Sequence, residues 1–192
     1  MIKVVNYQFK LPEGSLAVNT TSRSDNWSKG LSPFYLGPCD LYGGYKSHNM
    51  ENGWQYSKVF YNQVDDNDDP NEDYFKWAQA GWASIKANRY PMGKGHVPLY
   101  SFWDGKKLTY TEARKKVYIP LYREAVKDCG AFKKLKALYD SLAPTDILHL
   151  IDFDAHNMSP VDSVEVYDHL WSNGNIKVGH AYVLAMMLQG FI

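Results

Sequence analysis

A chain of 192 residues is long enough to bury a substantial core and reads most economically as one domain, 1–192. Its 21 basic and 21 acidic residues cancel, which excludes a global field that would draw in nucleic acid or an anionic membrane. Two cysteines exclude a disulfide framework, and no apolar run approaches the ~18 residues of a membrane span.

The first residues, MIKVVNYQFK, are too short and too polar for a signal peptide, so the chain is expected to be soluble and cytoplasmic. Residues 2–9 alternate and are rich in Val and Tyr, as a half-buried strand would be. Residues 15–42 interleave Gly, Pro, Ser and Asn with short apolar pieces, which predicts loops and short strands. Asn49 is a candidate N-cap for a helix over about 50–62. The acidic stretch DDNDDPNED predicts a loop, with Pro70 as the first residue of a helix running to about Asn88. Thr109 and Glu112 form a capping-box signature that opens a helix to about Asp128, kinked or divided at Pro120. A further helix, 131–142, carries an apolar stripe of Phe132, Leu135, Leu138 and Tyr139. Residues 147–151 read as a buried strand. Ser159-Pro160 is a start signal for a short helix, and 178–188 reads as a buried C-terminal helix. Helices predominate over a few short strands, so the expected class is α+β. No internal repeat and no clear domain boundary stands out.

Four groups of residues carry candidate chemistry. Glu51, Gln55 and Lys58 fall at i, i+4 and i+7 beside Trp54, which on a helix puts an acid, an amide and an ammonium on one face. Gly53 costs such a helix ~1 kcal/mol against Ala, which points to close backbone packing there. Trp103 precedes Lys106, Lys107 and Arg114, an indole beside cations that suits a base with phosphates nearby. Asp152, Asp154 and His156 share one face if they lie on a strand, a spacing that suits a divalent metal or plain strand-end caps. Gly179 opens the last helix, where it allows close packing or lets helix N-terminal amides approach a phosphate. P-loop, Rossmann and Gly-x-Ser-x-Gly patterns are all absent from the sequence.

The segment Leu31–Lys58 also resembles the NADAR (YbiA-like) domain. The likeness rests on Ser32-Pro33-Phe34, Pro38, Gly43 or Gly44, and Glu51-Asn52-Gly53-Trp54-Gln55-Tyr56-Ser57-Lys58. Met50 stands where that family has Ser, and the stretch from Phe34 to Glu51 is longer than usual. Toward the C-terminus, Leu150-Ile151-Asp152 replaces a Leu-Val-Glu strand, Asp154 is the nearer acid, and the usual Trp-Gly is missing. Asn173 to Met187 is similar to the family's closing helix. The resemblance implies a YbiA-like fold and an N-glycosidase-like hydrolase of ADP-ribose-type or phosphoribosylated nucleotides, a bacterial or phage accessory protein that needs no cofactor and no metal. It makes Glu51, Lys58 and Asp152 or Asp154 the catalytic candidates. Phe34, Trp54, Gln55, Trp103 and Gly179 become the substrate-binding ones. The implied partner is an ADP-ribose-type small molecule or ADP-ribosylated nucleic acid. The alternatives are a nucleotide-binding module without turnover, and a metal-dependent hydrolase using Asp152, Asp154 and His156.

Overall fold

The computed structural model describes residues 1–156 and 160–192. Helices mix with short strands in an α+β architecture. Residue contacts divide the chain into two compact units, 1–32 with 122–192, and 33–121.

In the first unit, β1 (Ile2–Asn6) and β2 (Ala17–Asn19) flank β8 (Leu148–Asp152), and both run parallel to it. Strand β1 is shorter than the expected 2–9. Asn6 ends it, because its side chain accepts from Gln8 N at 3.0 Å and its carbonyl from Phe9 N at 2.8 Å, turning the chain. Helix α5 (Gly130–Asp140) is capped by Cys129, whose sulfur accepts from Phe132 N. Of its predicted stripe, Phe132 and Leu135 are buried, and Leu138 and Tyr139 are half-buried. Helix α6 (Val164–Ser172) is capped by Ser163; the expected start at Ser159 lies outside the described residues. Helix α7 (His180–Leu188) packs on β1 and β8 and exposes only parts of Met186 and Met187, as a helix apolar on all sides must.

In the second unit, β3 (Cys39–Asp40) pairs with β4 (Lys46–Ser47), and β5 (Lys58–Val59), β6 (Tyr100–Trp103) and β7 (Lys106–Leu108) form an antiparallel sheet. Asp104 and Gly105 both have positive φ and close the β6–β7 hairpin, the conformation for which an Asp-Gly pair is suited. Helix α1 (Met50–Gln55) is capped by Asn49 as expected but stops at Gln55. Ser57 Oγ donates to Trp54 O at 2.8 Å, and the chain then enters β5, so Lys58 is a strand residue. Helix α2 (Glu72–Ala83) starts two residues later than expected: Asn71 caps it by accepting from Tyr74 N, while Pro70 bridges to Val64. It also ends before Asn88, for reasons that lie in α1. Asn52, fully buried, donates to Gly81 O, Ser84 O and Lys86 O and accepts from Asn88 N, pulling 84–88 out of helical conformation. The core between α2 and the sheet is aromatic, built on Tyr56, Val59, Tyr74, Ala78 and Trp82 with Phe75, Trp77, Tyr100 and Phe102 around them.

The capping box of Thr109 and Glu112 opens α3 (Tyr110–Ala113). A π-turn, Arg114–Tyr118, links it to α4 (Ile119–Val126), with Ile119 N–H bonded to Arg114 O. The wider turn comes just ahead of Pro120, which has no N–H to bond within a helix, so the break falls where the proline predicted it. The boundary between the two units falls inside α4, after Leu121.

Candidate functional site

Residues 33–121 bring Glu51, Gln55, Lys58 and Trp54 together. Asn49 accepts from Asn52 N and starts α1, which places Glu51 in the first turn, where a carboxylate is favoured by the helix dipole. One turn later Gln55 Nε2 donates to Glu51 Oε1 at 3.0 Å. Lys58 Nζ then donates to Gln55 Oε1 at 2.6 Å, reaching back from the strand after the helix. The same ammonium stands 4.9 Å from the centre of the Trp54 ring. The amide is thus polarised from both sides, donating to the acid and accepting from the ammonium. Glu51 is 6 % exposed and Gln55 8 %, whereas Lys58 is half-buried. A buried carboxylate is linked in this way to a partly accessible cation in a low-dielectric setting, which strengthens each bond.

Segment 33–36 lies over the start of α1. Pro33 O accepts from Glu51 N at 3.1 Å and Leu36 O from Met50 N at 2.8 Å. Phe34, between these anchors, is half-buried. Gly53 earns its place by packing: an added Cβ would lie 3.1 Å from Leu121 and 3.3 Å from Leu41 side-chain carbons. Trp54 is 6 % exposed and packs edge-on against Tyr118, so its indole belongs largely to the interior. Trp103 is half-buried and meets Tyr42 at 5.0 Å between ring centres. Lys58 pairs with Ser101, so Trp103, two residues on, shares the sheet face of Lys58 as its diagonal neighbour, about 7–8 Å away.

The other unit holds Asp152, Asp154 and Gly179. Strand β8 ends at Asp152, so Asp154 and His156 do not continue its face as expected. Asp152 is 3 % exposed, and both its oxygens accept: Oδ1 from Phe153 N at 2.6 Å, Oδ2 from Ala181 N at 3.0 Å. His180 Nδ1 is 3.1 Å from Oδ2. His156 turns away to Lys177 O. Among the described residues no group of three or more His, Cys, Asp or Glu could hold a metal ion. Gly179 serves close packing, because an added Cβ there would overlap the Asp152 carboxylate. The amide that opens α7 already binds that carboxylate, which takes the place expected for a phosphate. Asp154 is half-buried, with its carbonyl accepting from Gly179 N at 3.0 Å.

Several residues of these sites were not singled out from sequence. Asn52 shapes the chain after α2, and its only sequence signal is an Asn inside a helix, where that residue is disfavoured without a partner. Tyr42, whose hydroxyl is pushed up to about 12 chiefly by burial, packs against Trp82, Phe102 and Trp103. Arg114, expected beside Trp103 as a cation for phosphates, is instead 2 % exposed, its guanidinium 4.1 Å from the centre of the Tyr110 ring. The Cys39 thiol, pushed up to about 11 by burial, is a poor nucleophile.

An α+β chain with a Lys–Gln–Glu relay that runs from a short strand back to a short capped helix is the class of protein defined so far. Residues 3–169 match the model of a family of unknown function, DUF6939, and the chain belongs to that family. No curated protein and no solved structure matches it. Among the described residues no helix is long and apolar enough to cross a membrane.

Proposed function

We propose that the chain is an N-glycosidase-like hydrolase that cleaves the C1′–N bond of an ADP-ribose-type or phosphoribosylated nucleotide in the cytoplasm. The observation that carries this reading is the relay: a carboxylate 6 % exposed, held by Gln55, which is held in turn by Lys58. Cleavage of a C1′–N bond builds positive charge on the ribose, and a fixed, desolvated carboxylate stabilises that charge without reorganising. Glu51 takes this role and also orients or deprotonates the attacking water. Lys58 binds a phosphate of the substrate, or traps the opened sugar as a Schiff base. The stacking platform is Trp103, which is more accessible than Trp54. Where the NADAR-like family uses an acid after this strand to hold ribose hydroxyls or to protonate the leaving nitrogen, the residues at that place in the sequence are Asp152 and Asp154. Asp152 suits that work less, since both its oxygens already accept hydrogen bonds. The NADAR-like order of residues around Glu51 supports the same reading.

The test is Glu51→Gln, which keeps size and hydrogen bonding and loses the charge. Single-turnover cleavage of ADP-ribosylated substrates should fall by ~10²–10⁴-fold. Calorimetric titration with ADP-ribose should give an affinity close to wild type, because the charge matters most in the transition state. Wild-type-like cleavage by the variant removes Glu51 from the mechanism. A second reading is a nucleotide-binding module, favoured by one observation: Glu51 Oε1 already accepts from Gln55, so the carboxylate is engaged within the protein before any substrate arrives. ADP-ribose bound tightly by a wild-type chain that turns over nothing would establish that reading instead.

A further inference from the structure

Two buried ionisable side chains meet at the end of the parallel sheet, and the proposed chemistry uses neither. His180, 5 % exposed, opens α7, and Asp152, 3 % exposed, closes β8. The two ring nitrogens of His180 face Asp152 Oδ2 at 3.1 Å and the carbonyl of Thr20 at 2.8 Å. Both partners are acceptors. A carbonyl has no proton to give, so Nε2 carries one. At Nδ1, a bare nitrogen against a bare carboxylate would set lone pair against lone pair in a dry site. A second proton therefore lies between Nδ1 and Oδ2, on the ring or on the acid. Tyr122 and Tyr182 also face the pair. The Tyr122 ring lies 5.5 Å from that of His180, its hydroxyl donating to Leu31 O, and the Tyr182 hydroxyl accepts from His156 N.

The clamp joins three elements, since Thr20 follows β2, Asp152 ends β8 and His180 begins α7. The turn beyond β8 is tied from the same place. Asp152 Oδ1 holds Phe153 N, Asn6 Nδ2 donates to Phe153 O at 2.8 Å, and Gly179 N donates to Asp154 O at 3.0 Å. All three strands are parallel, so this is the carboxyl end of the sheet, the end where open parallel sheets bind ligands.

We infer that His180 is a positioning residue: through a proton shared with Asp152 it fixes the turn that follows β8 and so sets the place of Asp154. The clamp stands on hydrogen-bond geometry alone; the use of Asp154 on a substrate rests on the proposed function. The experiment is a long-range ¹H–¹⁵N correlation on the full chain labelled at histidine, with amide exchange measured in parallel. His180 is expected to show a protonated Nε2 and a protonated or hydrogen-bonded Nδ1. In Asp152→Asn the Nδ1 resonance should move to the position of a bare acceptor while Nε2 stays protonated. A bare Nε2 in the wild-type chain overturns the clamp, and this readout needs no variant to fold. In His180→Gln the Phe153, Gly179 and Ala181 amides should exchange at least ~10-fold faster, with Leu99 and Phe102 amides at wild-type rates. Wild-type rates at the first three overturn the positioning role. Where the wild-type chain cleaves a substrate, His180→Gln should lower kcat with KM little changed. A wild-type chain without turnover counts against the proposed function alone and leaves the resonance and exchange results standing.

Discussion

Asn52, next to Glu51 in sequence, carries more of the fold than of the chemistry. Its amide donates to three carbonyls and its oxygen accepts from Asn88 N, so one side chain satisfies four backbone groups of 81–88. Asn52→Ala strands Ser84 O and Asn88 N, since Gly81 O and Lys86 O keep bonds from Ser84 N and Ser84 Oγ, at ~1–3 kcal/mol for each that water does not recover. The expected loss is about 3 kcal/mol, read as a lower urea midpoint at unchanged slope. A loss under ~1 kcal/mol would show that 84–88 is held by other contacts. Lys58 behaves differently, because it is half-buried and its ammonium stands over the Trp54 ring. Lys58→Met keeps the stem and removes the ammonium. Stability should change by less than ~1 kcal/mol, the usual scale of a partly exposed ion contact. Affinity for ADP-ribose should fall by about 10–100-fold, the worth of one charge-assisted phosphate bond. Unchanged calorimetric affinity would remove Lys58 from the phosphate site.

At the scale of elements, helix starts set by a local cap were legible in the sequence, and the ends of α1 and α2 were not. Asn49, and Thr109 with Glu112, cap where expected because a cap is a local bond between a side chain and the amides that follow it. Helix α2 stops at Ala83 because a residue of another helix claims the chain beyond it, which no local pattern encodes. The Asp104-Gly105 hairpin carries a local dipeptide signal that the sequence reading passed over, whereas the two-residue strands β3 and β4 are too short to show a period. The relay was legible as a spacing, though Lys58 reaches Gln55 across a turn instead of along one helix face. The Asp152–His180 contact joins residues distant in sequence and left no local signal. Gly81 shows tertiary demand overriding propensity. It sits inside α2, where Ala would be better by ~1 kcal/mol, yet an added Cβ would overlap the Tyr56 ring. Gly81→Ala should therefore destabilise by a net ~1–2 kcal/mol, since overpacking typically costs ~1–3. A raised melting temperature would mean that the Tyr56 ring moves aside freely.

At the scale of the whole molecule, tyrosine burial dominates the response to alkali. The chain has fifteen tyrosines, and burial raises the phenols of Tyr42, Tyr74 and Tyr100 in one unit and of Tyr122, Tyr167 and Tyr182 in the other. Tyr42, Tyr100 and Tyr182 are pushed up to about 12, and the other three go higher. An unfolded tyrosine ionises near ~10. Between these values the folded chain binds more protons than the unfolded one, so stability falls as pH rises. The contribution is fully present below about pH 10 and is lost progressively as pH climbs to about 12 and beyond. Because such phenols lie in both units, neither unit escapes the loss. The expected result is a steep fall in melting temperature above about pH 10, with phenolate absorbance rising in two stages. Phenols in contact with water should ionise first and reversibly. The buried ones should ionise only as the circular dichroism signal collapses. A single smooth titration complete by about pH 11 with the dichroism intact would show that water reaches these hydroxyls in the folded chain, and that burial of the aromatic core is not what holds their protons.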